Sequence, residues 1–261
     1  VDEKGVINLQ ELLNSIQAKT ILISIMFANN EIGTIQPIKR IAEIAHKNNI
    51  IFHTDSVQAI GNIKIDVNQY GIDLLSLSGH KLYAPKGVGA LYVKNGIEFQ
   101  KIQDGGHQEN DKRAGTENVA EIVGLGKAIE EIYKNFDKNN KHLITLRDYY
   151  IAQVEKNIPN ATLNGDRIQR LPGNANFSFP NINGQELLLK LDEYGICASS
   201  GSACSTGSSS PSHVLTAIGL KSNLLQGALR VTFGRDNTKE DVDYLVKVLT
   251  KILKNNNEYI S

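Results

Sequence analysis

Residues Thr20 to Phe27 constrain this chain most. Ile21, Leu22, Ile23, Ile25, Met26 and Phe27 form an apolar, β-branched-rich run that only Ser24 interrupts. A half-solvated strand alternates apolar and polar residues, so an unbroken run predicts a strand covered on both faces. The next segment agrees with that. Pro37 stands at the first-turn position that helices tolerate, and Ile38, Ile41, Ala42 and Ala45 recur at the spacing of one helical face. Ile50 to Thr54 then supplies a second strand and completes a βαβ unit. Leu74 to Leu77 and Gly87 to Val93 read as a third and a fourth. The expected fold is α/β, with a mainly parallel sheet and helices on both faces. Sites in such sheets lie beyond the carboxyl ends of the strands.

The pattern changes after Thr116. Val119, Ala120, Val123, Ala128 and Ile129 predict a helix with that apolar face. A polar stretch from Lys134 to Asn140 reads as a break, and a second long helix is expected over Lys141 to Val154. The predicted division is a large domain over 1–137 and a small α+β domain over 138–261. In the second, Asn174–Phe179 and Ala228–Phe233 alternate as half-buried strands do. Helices are expected over Glu186–Tyr194 and Lys239–Leu253, with Thr238 capping the last.

Bulk properties exclude several classes. Basic and acidic residues number 28 each, so net charge implies no polyanion partner and no direct nucleic-acid binding. The run Ile21 to Ala28 is far too short to span a bilayer, and no membrane role is expected. The two cysteines, Cys197 and Cys204, lack metal-ligand or disulfide spacing. No metal site is expected, and a reducing cytoplasm fits best. Cys197, within Gly195–Ala198, is expected to be buried and structural.

The chemistry-bearing residues fall where the predicted strands end. Asp55 follows the second strand, and Ser78-Gly79-His80-Lys81 ends the third. An amine that can bond to an aldehyde, beside a carboxylate that can keep a pyridine nitrogen protonated, is what pyridoxal 5'-phosphate (PLP) requires. A thiol, Cys204, stands in the loop Ser199-Ser200-Gly201-Ser202-Ala203-Cys204, whose glycines and serines predict mobility to about Pro211. Each feature has a plainer reading. A lysine after a strand is usually a solvated charge, and a lone cysteine is usually packing. Their joint occurrence is what points to a site. His53 either orients Asp55 or packs beneath a ring.

Further stretches occur in order around these. They are Ala28-Asn29-Asn30-Glu31-Ile32-Gly33-Thr34-Ile35-Gln36-Pro37, His53-Thr54-Asp55-Ser56-Val57-Gln58, Gly105-Gly106-His107 and Arg113-Ala114-Gly115-Thr116. Together with Ser78–Lys81 and Ser199–Cys204 they closely resemble the cysteine desulfurases of the NifS/IscS type, fold-type I PLP enzymes, from Val1 to about Leu249. The resemblance implies a PLP-dependent transferase fold. It makes Lys81 the Schiff-base lysine and a general base, desolvated in its site. Asp55 pairs with the pyridinium nitrogen, and Gln58 donates to the phenolic oxygen. Asn30 lies near that oxygen and the substrate carboxylate, which Arg230 clamps beside Asn176. Ser78 and His80 hold the phosphate, with Thr116 reaching it from the partner copy of a homodimer. Cys204 takes the sulfur, with His53 counted among the catalytic residues.

The implied reaction converts L-cysteine to L-alanine and leaves a persulfide. Its sulfur goes to acceptor or scaffold proteins of iron–sulfur cluster assembly, or to tRNA thiolation. A selenocysteine lyase-like PLP enzyme and a cofactor-free fragment or scaffold are the alternatives. The opening Val1–Leu9 resembles an interior segment of these enzymes, so about a third of a full-length member is expected before it.

Overall fold

The structure is a computed structural model that describes residues 1–201 and 211–258. Cys204 and most of the loop predicted around it lie outside those residues. The elements in chain order are α1 (Leu9–Ser15), β1 (Leu22–Ser24), α2 (Ile38–Lys47), β2 (Ile51–Asp55), α3 (Val67–Tyr70), β3 (Leu74–Ser78), a 3₁₀ turn (Gly79–Leu82), β4 (Gly89–Val93), α4 (Gln108–Asp111) and α5 (Val119–Lys134). They continue with α6 (Phe136–Asn157), β5 (Thr162–Leu163), β6 (Asn174–Ser178), α7 (Gly184–Asp192), α8 (His213–Ala217), α9 (Ser222–Leu225), β7 (Ala228–Thr232) and α10 (Lys239–Glu258). Two units emerge. Leu13–Phe27 and Pro37–Phe136 form one, and Val1–Leu12, Ala28–Gln36 and Asp137–Ser261 form the other.

In the first unit a four-stranded sheet has the order β1-β2-β3-β4. β1, β2 and β3 are parallel, and β4 returns antiparallel along β3. The four α2 residues singled out by spacing, Ile38, Ile41, Ala42 and Ala45, are all buried, and the helix packs on β2. Phe52, Thr54 and Leu75 are buried in turn. The run at Thr20–Phe27 departs from expectation. Leu22–Ser24 forms the strand proper, at the sheet edge, with Ile25 and Phe27 still donating to His53 O and Asp55 O of β2, and of the three strand residues Ile23 alone is buried. Side chains stand on the faces of a sheet, and Ile21 and Leu22 are exposed, so the strand is not covered on both faces. The apolar face of α5 also differs. Val119 and Val123 are exposed, while Leu125 is buried with Leu82 and Val88, and Ile129 and Ile132 pack against them. The 3₁₀ turn selects that face, because Leu82 is the side chain α5 covers.

One buried acid ties this unit together. Asp73 is 6% exposed. Its Oδ2 accepts from His46 Nε2 at 2.8 Å and from the Phe52 N–H at 3.0 Å, and its Oδ1 accepts from Lys94 Nζ at 3.1 Å. Helix α2, strand β2 and the residue after β4 thus meet on one carboxylate. Burial by itself would raise its pKa. The bonds from Phe52, His46 and Lys94 outweigh burial and hold the carboxyl below its usual range.

The second unit carries an antiparallel sheet in the order β5-β6-β7. Its core joins Leu146, Tyr150 and Val154 of α6, Leu187 and Leu191 of α7, and Val242, Leu245 and Leu249 of α10 to Phe177, Leu229 and Val231 of the strands. Helix α10 starts as predicted, with the Asp241 N–H on Thr238 Oγ1 and the Asp241 carboxylate returning to the Thr238 N–H. Three expectations fail here. The polar stretch 134–140 is interrupted only at Asn135, because buried Phe136 restarts the helix and its polar neighbours occupy the solvent side. β6 is buried along its whole length rather than on one face, because Asn174, Asn176 and Ser178 are covered and hydrogen-bonded. Cys197 is exposed and lies outside any strand, in the segment leading to Ser199.

Tyr150 offers a stability test. Its ring is fully buried, edge-on to Phe177 and Phe233, and its hydroxyl has no hydrogen-bond partner among the described residues. Burial pushes the phenol pKa up. An unpartnered buried hydroxyl costs about 1–3 kcal/mol. Tyr150→Phe keeps the ring and should therefore stabilise the protein by about 1 kcal/mol in urea unfolding. A lower unfolding midpoint would contradict this.

Candidate active site

Two sets of residues matter, one in each unit. In the first unit, parallel pairing brings the ends of β2 and β3 to the same edge, with Asp55 opposite Ser76. Lys81 follows β3 directly, in the 3₁₀ turn. Leu82 inserts toward α5 and so fixes the turn from below. Gly79 is required by close approach. Its N–H donates to Val88 O at 2.8 Å, and a Cβ there would stand 2.8 Å from Val88 Cγ1.

His53 spans three strands on this face. Its Nδ1 lies 2.7 Å from Ser24 Oγ on β1, and its Nε2 lies 2.9 Å from Ser76 Oγ on β3. Both nitrogens are therefore committed to hydroxyls and not to Asp55. Burial lowers the His53 pKa, against an opposing pull from Asp55. The ring is neutral at pH 7, one nitrogen donating and the other accepting. Asp55 Oδ1 accepts the Val57 N–H at 2.9 Å. Ser78 Oγ and His80 Nδ1 are 2.8 Å apart, a hydroxyl and an imidazole side by side at the strand end.

Asp55, His80 and Lys81 are exposed, and Gln58 and Ser78 are half-buried. The desolvated lysine expected from sequence is not seen among the described residues, since the sheet edge around it, including Gly89 to Leu91 of β4, faces solvent. The donor set nevertheless fits PLP. An amine, a carboxylate and a hydroxyl–imidazole pair stand along one strand edge, which suits an aldehyde, a pyridine nitrogen and a phosphate. Thr116 is exposed in the loop before α5.

In the second unit the residues gather on the turn Ala28–Gln36. Asn29 Oδ1 accepts the Glu31 and Ile32 N–H groups at 2.8 and 3.0 Å, and the ends pair at Ala28 and Ile35. Gly33 has φ +74°, and a Cβ there would stand 2.5 Å from Asn174 Oδ1. Asn174 and Asn176 both donate to Glu31 O, at 3.3 and 3.2 Å. Asn176 is fully buried, and its Oδ1 accepts from Asn164, so its amide holds the turn. Arg230 donates from Nη1 to Asn30 O at 3.0 Å. The Arg230 main chain pairs with β6 on one side and exchanges two bonds with Ser199 on the other, at 3.1 and 2.6 Å. Asn30, Asn176 and Arg230 are thus brought together, while Cys204 lies outside the described residues. Sequence reading missed Ser24, Ser76 and Glu31. Only strand register identifies the two serines, and Glu31 has no local signal beyond an acid beside an apolar isoleucine.

The aminotransferase class-V family profile matches residues 1–245. The chain is 54% identical to the cysteine desulfurase IscS of Clostridium botulinum (strain Hall) over 260 residues, covering 99% of this chain and 66% of that protein. It is 53% identical to the cysteine desulfurase IscS of Methanosarcina thermophila, covering 97% of this chain and 63% of that protein. The chain therefore spans somewhat less than two thirds of these curated relatives. Among solved structures, a NifS-like protein superposes with a TM-score of 0.89 at 36% identity, over 97% of this chain and 67% of its own. The NifS-like protein of Rickettsia africae ESF-5 gives 0.89 at 31% identity, over 97% and 68%.

Proposed function

This chain belongs to the class-V aminotransferase family, with NifS-like proteins among its relatives, and on that premise we propose that the protein is a PLP-dependent cysteine desulfurase. One observation carries the proposal. Asp55 and Lys81 leave adjacent parallel strands at the same end, beside the Ser78–His80 pair. When bound, PLP supplies an electron sink that makes the Cα–H bond of an amino acid labile.

The residues of this chain do the rest. Asp55 keeps the pyridine nitrogen protonated, and Gln58 donates to the phenolic oxygen. Ser78 and His80 hold the phosphate, with Thr116 from a second copy. His53, neutral and held by two serines, supports that face. Arg230, with Asn30, orients the substrate carboxylate, which a planar guanidinium can grip in bidentate fashion. Asn176 sets the turn they share. Lys81 Nζ moves the proton at the substrate Cα. The Cys204 thiolate forms an S–S bond to the substrate sulfur as the C–S bond breaks, and the proton of its thiol ends on the carbon that becomes the alanine methyl. L-cysteine and one thiol thus yield L-alanine and one persulfide, with no external oxidant.

The sulfur then passes to acceptor or scaffold proteins of iron–sulfur cluster assembly or of tRNA thiolation. We place this reaction in the cytoplasm, in a homodimer. Among the described residues, no helix is long and apolar enough to cross a membrane.

Mixing the purified protein with PLP tests the proposal. Borohydride should bleach the yellow colour and leave the pyridoxyl label on Lys81, read by peptide mass. A colourless protein with no label would instead favour the scaffold alternative.

A further inference from the structure

Register sets four polar side chains on one face of the sheet in the first unit. Ser24 stands opposite His53, and Asp55 stands opposite Ser76. His53 and Asp55, two apart on β2, share that face. Strands of a parallel sheet are normally apolar on both faces, so this polar row serves something other than packing. Its bonds are selective. Side chains of a strand lean along it, and an imidazolium at position 53 would turn to the carboxylate at 55 and pair with it. Instead Nδ1 of His53 is 2.7 Å from Ser24 Oγ and Nε2 is 2.9 Å from Ser76 Oγ, so the ring reaches across the strands. A neutral imidazole has one donor and one acceptor nitrogen, and the two hydroxyls satisfy both. Asp55 is left to accept the Val57 N–H. Strands β1 and β3 bring no titratable side chain to the ring. Helix α2 packs on β2 through Ile38, Ile41, Ala42 and Ala45, and its His46 is bonded to Asp73. Among the described residues, Asp55 is the charged group that acts on His53.

We propose that Ser24 and Ser76 are positioning residues that hold His53 across the sheet as a neutral ring, so that Asp55 keeps its charge for the pyridine nitrogen of PLP. The proposal rests on the reading of Asp55 as the partner of that nitrogen. A released ring would take a proton, pair with Asp55 and cancel the charge. Both serines act through His53 and not on the substrate.

The first readout needs no cofactor. On the full chain without PLP, histidine ring resonances followed against pH give the His53 pKa. Burial holds it below the ordinary imidazole value in the parent. In the Ser24→Ala/Ser76→Ala double variant it should rise, because an opposite charge within reach favours the protonated ring. With Asp55→Asn added to that variant, the rise should vanish. Ser24→Thr/Ser76→Thr keeps both hydroxyls and should titrate as the parent does. The second readout is turnover with PLP. One pH unit below its pKa a base is protonated about 10-fold more often than not, so the ratio of double-variant to parent kcat for alanine formation should fall roughly 10-fold between about pH 8 and about pH 6.

A double variant whose His53 titrates as in the parent overturns the proposal. So does a rise that persists with Asp55→Asn, or a kcat ratio that stays flat with pH. If the double variant does not fold, Ser24→Ala at the exposed sheet edge frees Nδ1 alone, and an unchanged titration there overturns the proposal equally. A parent protein that leaves no pyridoxyl label on Lys81 sinks the PLP reading instead, and the His53 titration then decides the hold of the two serines alone.

Discussion

Replacing Lys81 with alanine should lower alanine formation from L-cysteine by roughly 10²–10⁴-fold, the range that a positioned proton-transfer group contributes. The loss follows from geometry. Lys81 sits in a turn fixed from below by Leu82 and from behind by the Gly79–Val88 bond, with Asp55 ending the adjacent strand. Because Lys81 is exposed, its removal should leave thermal stability within about 0.5 kcal/mol of the parent. Unfolding and steady-state rates measured together separate loss of chemistry from loss of fold. Lys86, five residues on and also exposed, is the rival amine. A Lys81→Ala protein that turned over at the parent rate, with the borohydride label on Lys86, would transfer the role to it.

The second large effect concerns stability. Asp73→Ala should destabilise the protein by about 2–4 kcal/mol, because a buried acceptor of charge-assisted bonds is lost and the Phe52 N–H is left without its side-chain partner. His46 and Lys94 are about half-exposed and can return to water, which limits the cost. The pH dependence has a definite sign. Asp73 has a lowered folded pKa, so its contribution is present above the unfolded value of 3.8 and is lost as pH falls through the folded value. The stability gap between parent and Asp73→Ala should therefore be constant near neutrality and shrink below pH 3.8. His53 adds a separate acid sensitivity. Its lowered pKa means that stability is full above 6.5 and declines as pH drops below it. Urea unfolding at a series of pH values checks both. A gap that widened on acidification would contradict the role given to Asp73.

Elements governed by local periodicity were legible in the sequence. The buried face of α2, the starts of β2 and β3, the run of β7 and the Thr238 cap all follow from spacing within a few residues. Features decided by a distant partner were not. α5 carries apolar residues on more than one side, and Leu82 and Val88 of another element chose the Leu125 face. β6 alternates as a half-buried strand would, but the Ala28–Gln36 turn covers its polar side with one main-chain carbonyl, Glu31 O, to which Asn174 and Asn176 both donate. The placement of Asp55 and Lys81 at neighbouring strand ends was readable because each closes a local apolar run in sequence. The hydroxyls that flank His53 were not, since register alone brings Ser24 and Ser76 to it.

The two sets of residues differ in how far along the chain their parts are drawn from. The strands that frame Lys81 are consecutive, β3 and β4, and their outermost pair is Leu74 with Val93. The bond from Arg230 to Asn30 joins positions 200 apart. Short loops close rapidly and long ones late. During vectorial synthesis the frame of Lys81 can therefore form once Val93 has emerged. The Arg230–Asn30 bond must wait until position 230 has emerged, so a nascent chain stalled between the two points would carry Lys81 in its frame while the Ala28–Gln36 turn still lacked its arginine.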